Sequence, residues 1–237
     1  MSEFNQSVVV VTGAAGNLGR AVAQAFAERG AHLALLDLNA AGIERTIAAC
    51  QGQASAKAFP TNLIDATSVG QCIDEVLDAF GRIDILANIA GGFTMGPTVP
   101  ETSDRDWDFM MNLNARSVFN MCRRVIPAMQ GNGGGRIINV SARAAEQGKA
   151  RMGPYCASKA AVLTLTESLA AENRFDNINV NCILPGTIDT PQNREAMPDA
   201  NFDHWVPPAA LADVILFLAS GAARCVTGAA IPVYGQS

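Results

Sequence analysis

The run Tyr155-Cys156-Ala157-Ser158-Lys159 sets a phenol and an amine at positions i and i+4. On a helix the two side chains stand on one face, a turn apart. A phenol ordinarily titrates near ~10, and a neighbouring ammonium favours the phenolate and brings that value down. A tyrosine poised in this way can pass a proton to or from a substrate oxygen or nitrogen near neutral pH. The same spacing occurs on ordinary helix faces, so it points to acid–base chemistry only in the right company.

Thr12-Gly13-Ala14-Ala15-Gly16-Asn17-Leu18-Gly19 is a second candidate. Glycines let a backbone turn tightly and approach a pyrophosphate, while a following helix offers free N–H groups and a favourable dipole. Asp37 stands 18 residues after Gly19. A carboxylate there accepts hydrogen bonds from both ribose hydroxyls of NAD and repels the extra phosphate of NADP. No lysine or arginine follows in Leu38–Gly42 to hold that phosphate. NAD(H) is therefore favoured over NADP(H). The plainer alternative is an ordinary strand–helix turn with a solvent-facing aspartate.

These residues need a frame, and the chain alternates in the way that supplies one. Short apolar runs read as buried parallel strands: Ser7–Thr12, His32–Leu36, Ala56–Thr61, Ile83–Asn88, Arg136–Ser141, Ile178–Leu184 and Ala229–Val233. Helical patterns lie between them, over Gly19–Arg29, Thr67–Phe80, Asp104–Gln130, Tyr155–Glu172 and Pro208–Ser220. The alternation predicts an α/β fold: a Rossmann-type doubly wound parallel sheet of about seven strands, helices on both faces, in three α/β/α layers. With 237 residues there is no room for separate cofactor and substrate domains. One domain over 1–237 must carry both sites, with the proline-punctuated stretch 191–208 as a substrate lid.

Composition narrows the class. Hydrophobic residues make up 49% and charged residues 16%, which excludes a disordered chain. A net charge of −5 lacks the basic footprint of a nucleic-acid binder. Six cysteines without a CxxC pair read as reduced thiols in the cytoplasm. The N-terminus has no signal-peptide pattern, and no apolar run is long enough to span a membrane. His32 and His204, far apart, make no zinc site, and no metal is expected.

The chain resembles the short-chain dehydrogenase/reductase family from Ser7 to Gly235. The matching residues are the TGAAGNLG loop, Asn88-Ile89-Ala90-Gly91, Asn112-Leu113, Tyr155–Lys159 and Pro185-Gly186. The resemblance implies an NAD(P)-dependent oxidoreductase acting on a small organic substrate. Tyr155 would be its general acid/base. Lys159 would lower the tyrosine pKa and hold the nicotinamide ribose, and Asn112 would anchor a relay water. Cofactor contacts would come from Gly13, Asn17, Leu18 and Gly19 in the loop, and from Asp37 and Leu38 after the second strand. Asn62 and Leu63 would follow the third strand, and Asn88, Ala90 and Gly91 the fourth. Pro185, Gly186, Ile188 and Thr190 would fix the nicotinamide.

Three departures stand out. The loop spacing TGxxGxxG is similar to that of the family's extended members. The family's aspartate after strand three is Asn62. The family's catalytic serine, 13 residues before the tyrosine, is Ala142. Three explanations stay open: Ser141 serves after a backbone shift, activity is reduced, or the substrate is electrophilic and protonated at nitrogen. The last fits quinonoid dihydropteridine reductases, which also lack the serine. The segments Ile89–Phe93, Ala142–Lys159 and Leu184–Pro207 are similar to theirs.

For the substrate end the candidates are Phe93, Ala142, Arg143 and Gln147, with Met95 nearby and His204 and Trp205 in the lid, as closers or as an anchor. Tyr234 reads as structural or intersubunit. Val118, Met121, Cys122 and Val125 exceed what one sheet-facing stripe needs. Family members pair these helices, so a homotetramer or homodimer is expected. The rival of another class is a non-catalytic cofactor-binding, redox-sensing subunit.

Overall fold

Each predicted apolar run forms a strand, because a strand covered by helices on both faces needs no polar alternation. In the computed structural model, which describes residues 3–50 and 55–236, the strands are β1 (Val8–Thr12), β2 (His32–Asp37), β3 (Ala56–Pro60), β4 (Ile85–Asn88), β5 (Gly135–Val140), β6 (Ile178–Pro185) and β7 (Ala230–Val233). They form one parallel sheet in the order β3-β2-β1-β4-β5-β6-β7. Strand order reverses between β1 and β4, which opens a crevice beyond their carboxyl ends.

The helices are α1 (Asn17–Ala27), α2 (Ala40–Ala49), α3 (Ala66–Phe80), α4 (Asp104–Met110), α5 (Ser117–Gly131), α6 (Gly153–Glu172), α7 (Pro191–Ala196) and α8 (Pro208–Ala219). Two of these lie outside the sequence expectation. α2 is capped by Asn39, whose side chain accepts from the Gly42 N–H at 3.0 Å. α7 starts on Pro191 with Thr190 as its cap, accepting from the Asn193 N–H at 3.2 Å. The segment 191–208 thus carries its own structure.

Strand alternation divides the core in two. Val9, Val11, Leu33 and Leu35 pack with α1 and α8, through Val22, Phe26, Leu211 and Ile215. Val10, Ala34 and Leu36 pack on the other face with α3, α5 and α6. The expected long helix over 104–130 divides into α4, a π-helical turn at Met111–Arg116, and α5. The expected surplus of apolar residues for a partner subunit is also corrected. Val118, Met121, Cys122 and Val125 are all at most 2% exposed and belong to the core of their own protomer. α5 is covered by the sheet on one side and by α3 on another, which accounts for its wide apolar stripe. Among the described residues, no helix is long and apolar enough to cross a membrane.

Candidate active site

The glycine loop is built by close approach of backbone to backbone. Gly13 sits at φ +65°, and a Cβ there would lie 2.9 Å from the backbone of Ala90. A Cβ on Gly19 would collide with the Gly13 carbonyl. Only glycine lets β1 turn into α1 here while β4 passes alongside. Thr12 ties the two strand ends together: its hydroxyl accepts from the N–H groups of Ile89 (3.0 Å) and Ala90 (3.1 Å). Asp37 has a task the sequence did not reveal. Its carboxylate accepts from the Ala15 N–H at 3.1 Å and from the Asn39 N–H at 2.9 Å, fixing both the loop and the entry to α2.

β5 and α6 position Tyr155 and Lys159. Tyr155 lies on the first turn of α6, and the ring of Phe93 meets it edge-on, with centroids 4.9 Å apart. Lys159 is buried, and its Nζ donates to the Val140 carbonyl at 3.0 Å. Burial lowers the Lys159 ammonium to about 8. Burial pushes the Tyr155 phenol up to about 12, with Cys156 acting in the same direction. The shift of Tyr155 is thus upward, opposite to the direction expected from a neighbouring ammonium, because burial penalises the phenolate.

Asn112 lines the cavity wall, and Asn114 lies buried off that wall, tied to the residues that form it. Its Oδ1 accepts from the Gly92 N–H at 2.9 Å, and its Nδ2 donates to the Gly92 carbonyl (3.1 Å) and to Ser158 Oγ (3.0 Å). A Cβ on Gly91 would lie 2.7 Å from Asn114 Oδ1 and 3.1 Å from Lys159 Nζ, so both polar atoms converge on that glycine. The signal that could have found Asn114 is its place in the Asn112-Leu113-Asn114 pair, one turn before Ser117, where the π-turn decides which asparagine faces inward.

Ala142 lines the cavity. Ser141 is buried and its hydroxyl donates to the Lys159 carbonyl at 2.7 Å, so that hydroxyl holds α6 against β5. Asn88 turns away from the crevice: its amide donates to Asn139 Oδ1 at 2.8 Å, and Asn139 donates to Thr166 Oγ1 at 2.9 Å. This buried chain joins β4, β5 and α6.

One cavity of about 910 Å³ connects these parts. Its wall runs from Gly13, Leu18, Gly19, Asp37 and Leu38, past Asn62 and Leu63, Ala90 and Gly91, to Phe93, Ala142, Arg143, Tyr155 and Lys159, with Pro185, Gly186 and Ile188 alongside. Four predicted residues lie off that wall. Asn88 is in the buried chain, and Thr190 caps α7. Asn17 donates to Gln192 Oε1 at 2.8 Å, and Gln147 is exposed on the loop before α6. Trp205 is buried against Phe202 and serves as the anchor of its segment, while Asn193 and Met197 face the cavity.

A family model described as short chain dehydrogenase matches residues 7–201. The chain is 37% identical to a D-threitol dehydrogenase of Mycolicibacterium smegmatis, over 96% of this chain and 91% of the relative. It is 32% identical to the 3-oxoacyl-[acyl-carrier-protein] reductase FabG of Thermotoga maritima, over 96% of each. A crystal structure of an NAD+-bound xylitol dehydrogenase superposes with a TM-score of 0.92 at 27% identity, covering 98% of this chain and 99% of that one. With the family model covering most of its length and relatives aligned nearly end to end, the chain belongs to the short chain dehydrogenase family of oxidoreductases.

Proposed function

We propose that this protein is an NAD(H)-dependent oxidoreductase that moves hydride between a nicotinamide and a small organic substrate, with Tyr155 as general acid/base. The observation that carries this reading is one continuous cavity from the glycine loop and Asp37 to Tyr155 and Lys159. The loop fits a dinucleotide, since the backbone packing at Gly13 and Gly19 leaves no side chain between the α1 N-terminus and a pyrophosphate. When bound, the nicotinamide supplies or takes the hydride. Asp37 would accept from the adenosine ribose hydroxyls while keeping its bonds to the loop, since each carboxylate oxygen has a second lone pair. Its charge, with no base in Leu38–Gly42, disfavours a 2′-phosphate. The phenol of Tyr155, protonated at neutral pH, is set to donate to a substrate oxygen as hydride arrives. Asn114 would carry the relay role first expected of Asn112, because it joins Gly92 and Ser158 beside the Lys159 ammonium.

Tyr155→Phe tests the reading. Turnover of a ketone and polyol panel should fall at least about 100-fold while NADH titration stays near wild type. Equal turnover by mutant and wild type on every substrate would show that Tyr155 is not the acid, whereas NADH binding with no turnover of any substrate by the wild type would favour the non-catalytic cofactor-binding alternative.

Ala142 supports a second reading, NADH-dependent reduction of a quinonoid dihydropterin. An imine-like acceptor protonated at nitrogen has less need of the missing hydroxyl. NADH oxidation with freshly generated quinonoid dihydropterin distinguishes the two. A homodimer or homotetramer in the cytoplasm completes the proposal. It is supported by the exposed rings of Trp107 and Phe119, at 45% and 40%, and by six free cysteines.

A further inference from the structure

Beyond the cofactor and its acid, the cavity has apolar walls with nothing packed on them. Phe93, Met95, Phe109 and Met197 line it, and each is between 42% and 62% exposed. They come from three places: the loop after β4, α4, and the end of α7. Large apolar side chains left open in a concave wall mark a binding surface. Around Tyr155 the packing is apolar as well. Ala142, Ala144, Cys156 and Met152 cluster with it, and the Phe93 ring meets it edge-on. The loop that carries Phe93 and Met95 is pinned to the segment before α6. The Gly96 N–H donates to the Arg151 carbonyl at 3.0 Å, and Arg151 Nε donates to the Gly96 carbonyl at 3.2 Å.

Three polar side chains on the same wall donate inside the protein. The Ser117 hydroxyl donates to the Leu113 carbonyl at 2.7 Å, the Ser141 hydroxyl to the Lys159 carbonyl, and the Asn193 amide to the Ile188 carbonyl at 2.8 Å. Arg143 and Lys149 lie on the wall too, but both are exposed, and the Arg143 guanidinium stands over the Tyr234 ring. A substrate hydroxyl entering such a wall gives up water for little in return, whereas a methylene gains by leaving water. Unbranched thioethers such as Met95 and Met197 also adapt to irregular hydrocarbon shapes.

We propose that the substrate is a ketone, with its secondary alcohol, whose remaining carbons are hydrocarbon rather than polyol, and that Met95 and Met197 set this preference. This rests on the oxidoreductase reading above. Reduction adds a hydride from NADH to the carbonyl carbon and the Tyr155 proton to its oxygen, leaving the secondary alcohol and NAD+.

The test measures reduction by NADH of the methyl ketones from 2-butanone to 2-octanone, with the polyhydroxy ketone erythrulose for comparison, using the full chain. Along the series kcat/KM should rise about two- to fourfold for each methylene buried, mostly through KM. 2-Hexanone should exceed erythrulose by at least about tenfold, because the hydroxyls of the latter lose their water. Met95→Gln combined with Met197→Gln keeps side-chain size and adds polarity. It should pull the gain per methylene down toward one. Methionines that merely pack the fold would slow every ketone alike and leave that gain intact. A flat or falling series in the wild type overturns the proposal. So does erythrulose matching 2-hexanone, an unchanged gain in the double variant, or turnover confined to a quinonoid dihydropterin. If no compound turns over, calorimetric titration with 2-octanone and with erythrulose, in the presence and absence of NADH, separates the two ideas. Tighter binding of 2-octanone, weakened in the double variant, sustains the apolar site while the oxidoreductase reading fails. Equal or absent binding of the two compounds rejects the site.

Discussion

Ala142 lines the cavity where the family resemblance led us to expect a serine, and the Ser141 hydroxyl is committed to the Lys159 carbonyl. Ala142→Ser should therefore raise kcat/KM for simple ketones on the order of 100-fold, the worth of one preorganised donor. An unchanged ketone panel would mean that the missing hydroxyl is not what limits this site. Lys159 sets the pH behaviour. Burial brings it from 10.5 to about 8, so between those values the unfolded chain binds more protons than the folded one. The stability of the unliganded protein should rise with pH across that window from this group. Tyr155, raised to about 12, acts with opposite sign only above ~10. Activity should break near pH 8 as the ammonium is lost, and the break should vanish in the residual activity of Lys159→Met. The Tyr155–Lys159 pair was legible in the sequence because i, i+4 spacing survives any tertiary context. Its electrostatics were not, because desolvation depends on what the fold places around the phenol.

At the scale of elements, the loop between β1 and α1 tolerates no added atom at Gly19, where a Cβ would strike backbone. Gly19→Ala should lower the thermal midpoint and weaken NADH binding by at least about tenfold, since overpacking against backbone costs roughly 1–3 kcal/mol. Gly70→Ala is the control. It lies inside α3 with open space around its Cβ position, and should stabilise by up to about 1 kcal/mol. Loss of NADH affinity in both variants would remove the loop's special role. The strands and the loop could be read from apolar runs and glycines, which are local signals. The choice between Asn112 and Asn114 could not. A π-turn adds a residue to one helical turn and rotates the side chains beyond it, and no composition cue in Met111–Arg116 announces it. α7 was missed for a related reason: six residues between prolines carry too little periodicity to register.

For the whole molecule, the apolar surplus on the 104–130 segment divides between core and surface. Val118, Met121, Cys122 and Val125 are consumed inside the protomer, which leaves Trp107 and Phe119 among the exposed rings of that segment. Sedimentation at micromolar concentration should return two or four times the protomer mass, and Phe119→Glu should shift it downward. A wild-type monomer would refute the assembly. Burial of this kind is hidden from a sequence because a stripe facing α3 and a stripe facing a second subunit look alike.

The ties between β5 and α6 bear on how the molecule breathes. Lys159 to Val140, Ser141 to Lys159 and Asn139 to Thr166 are all buried bonds linking strand and helix. α7 is held by exposed partners, among them Asn17 with Gln192 and Arg194 with Asp189. Opening free energies follow such anchoring, and partly exposed segments part from a protein long before its core does. Amide hydrogen exchange should therefore be faster in α7 than in α6 and β5, so that the segment beside the cavity parts from the molecule more often than Tyr155 and Lys159 part from the sheet.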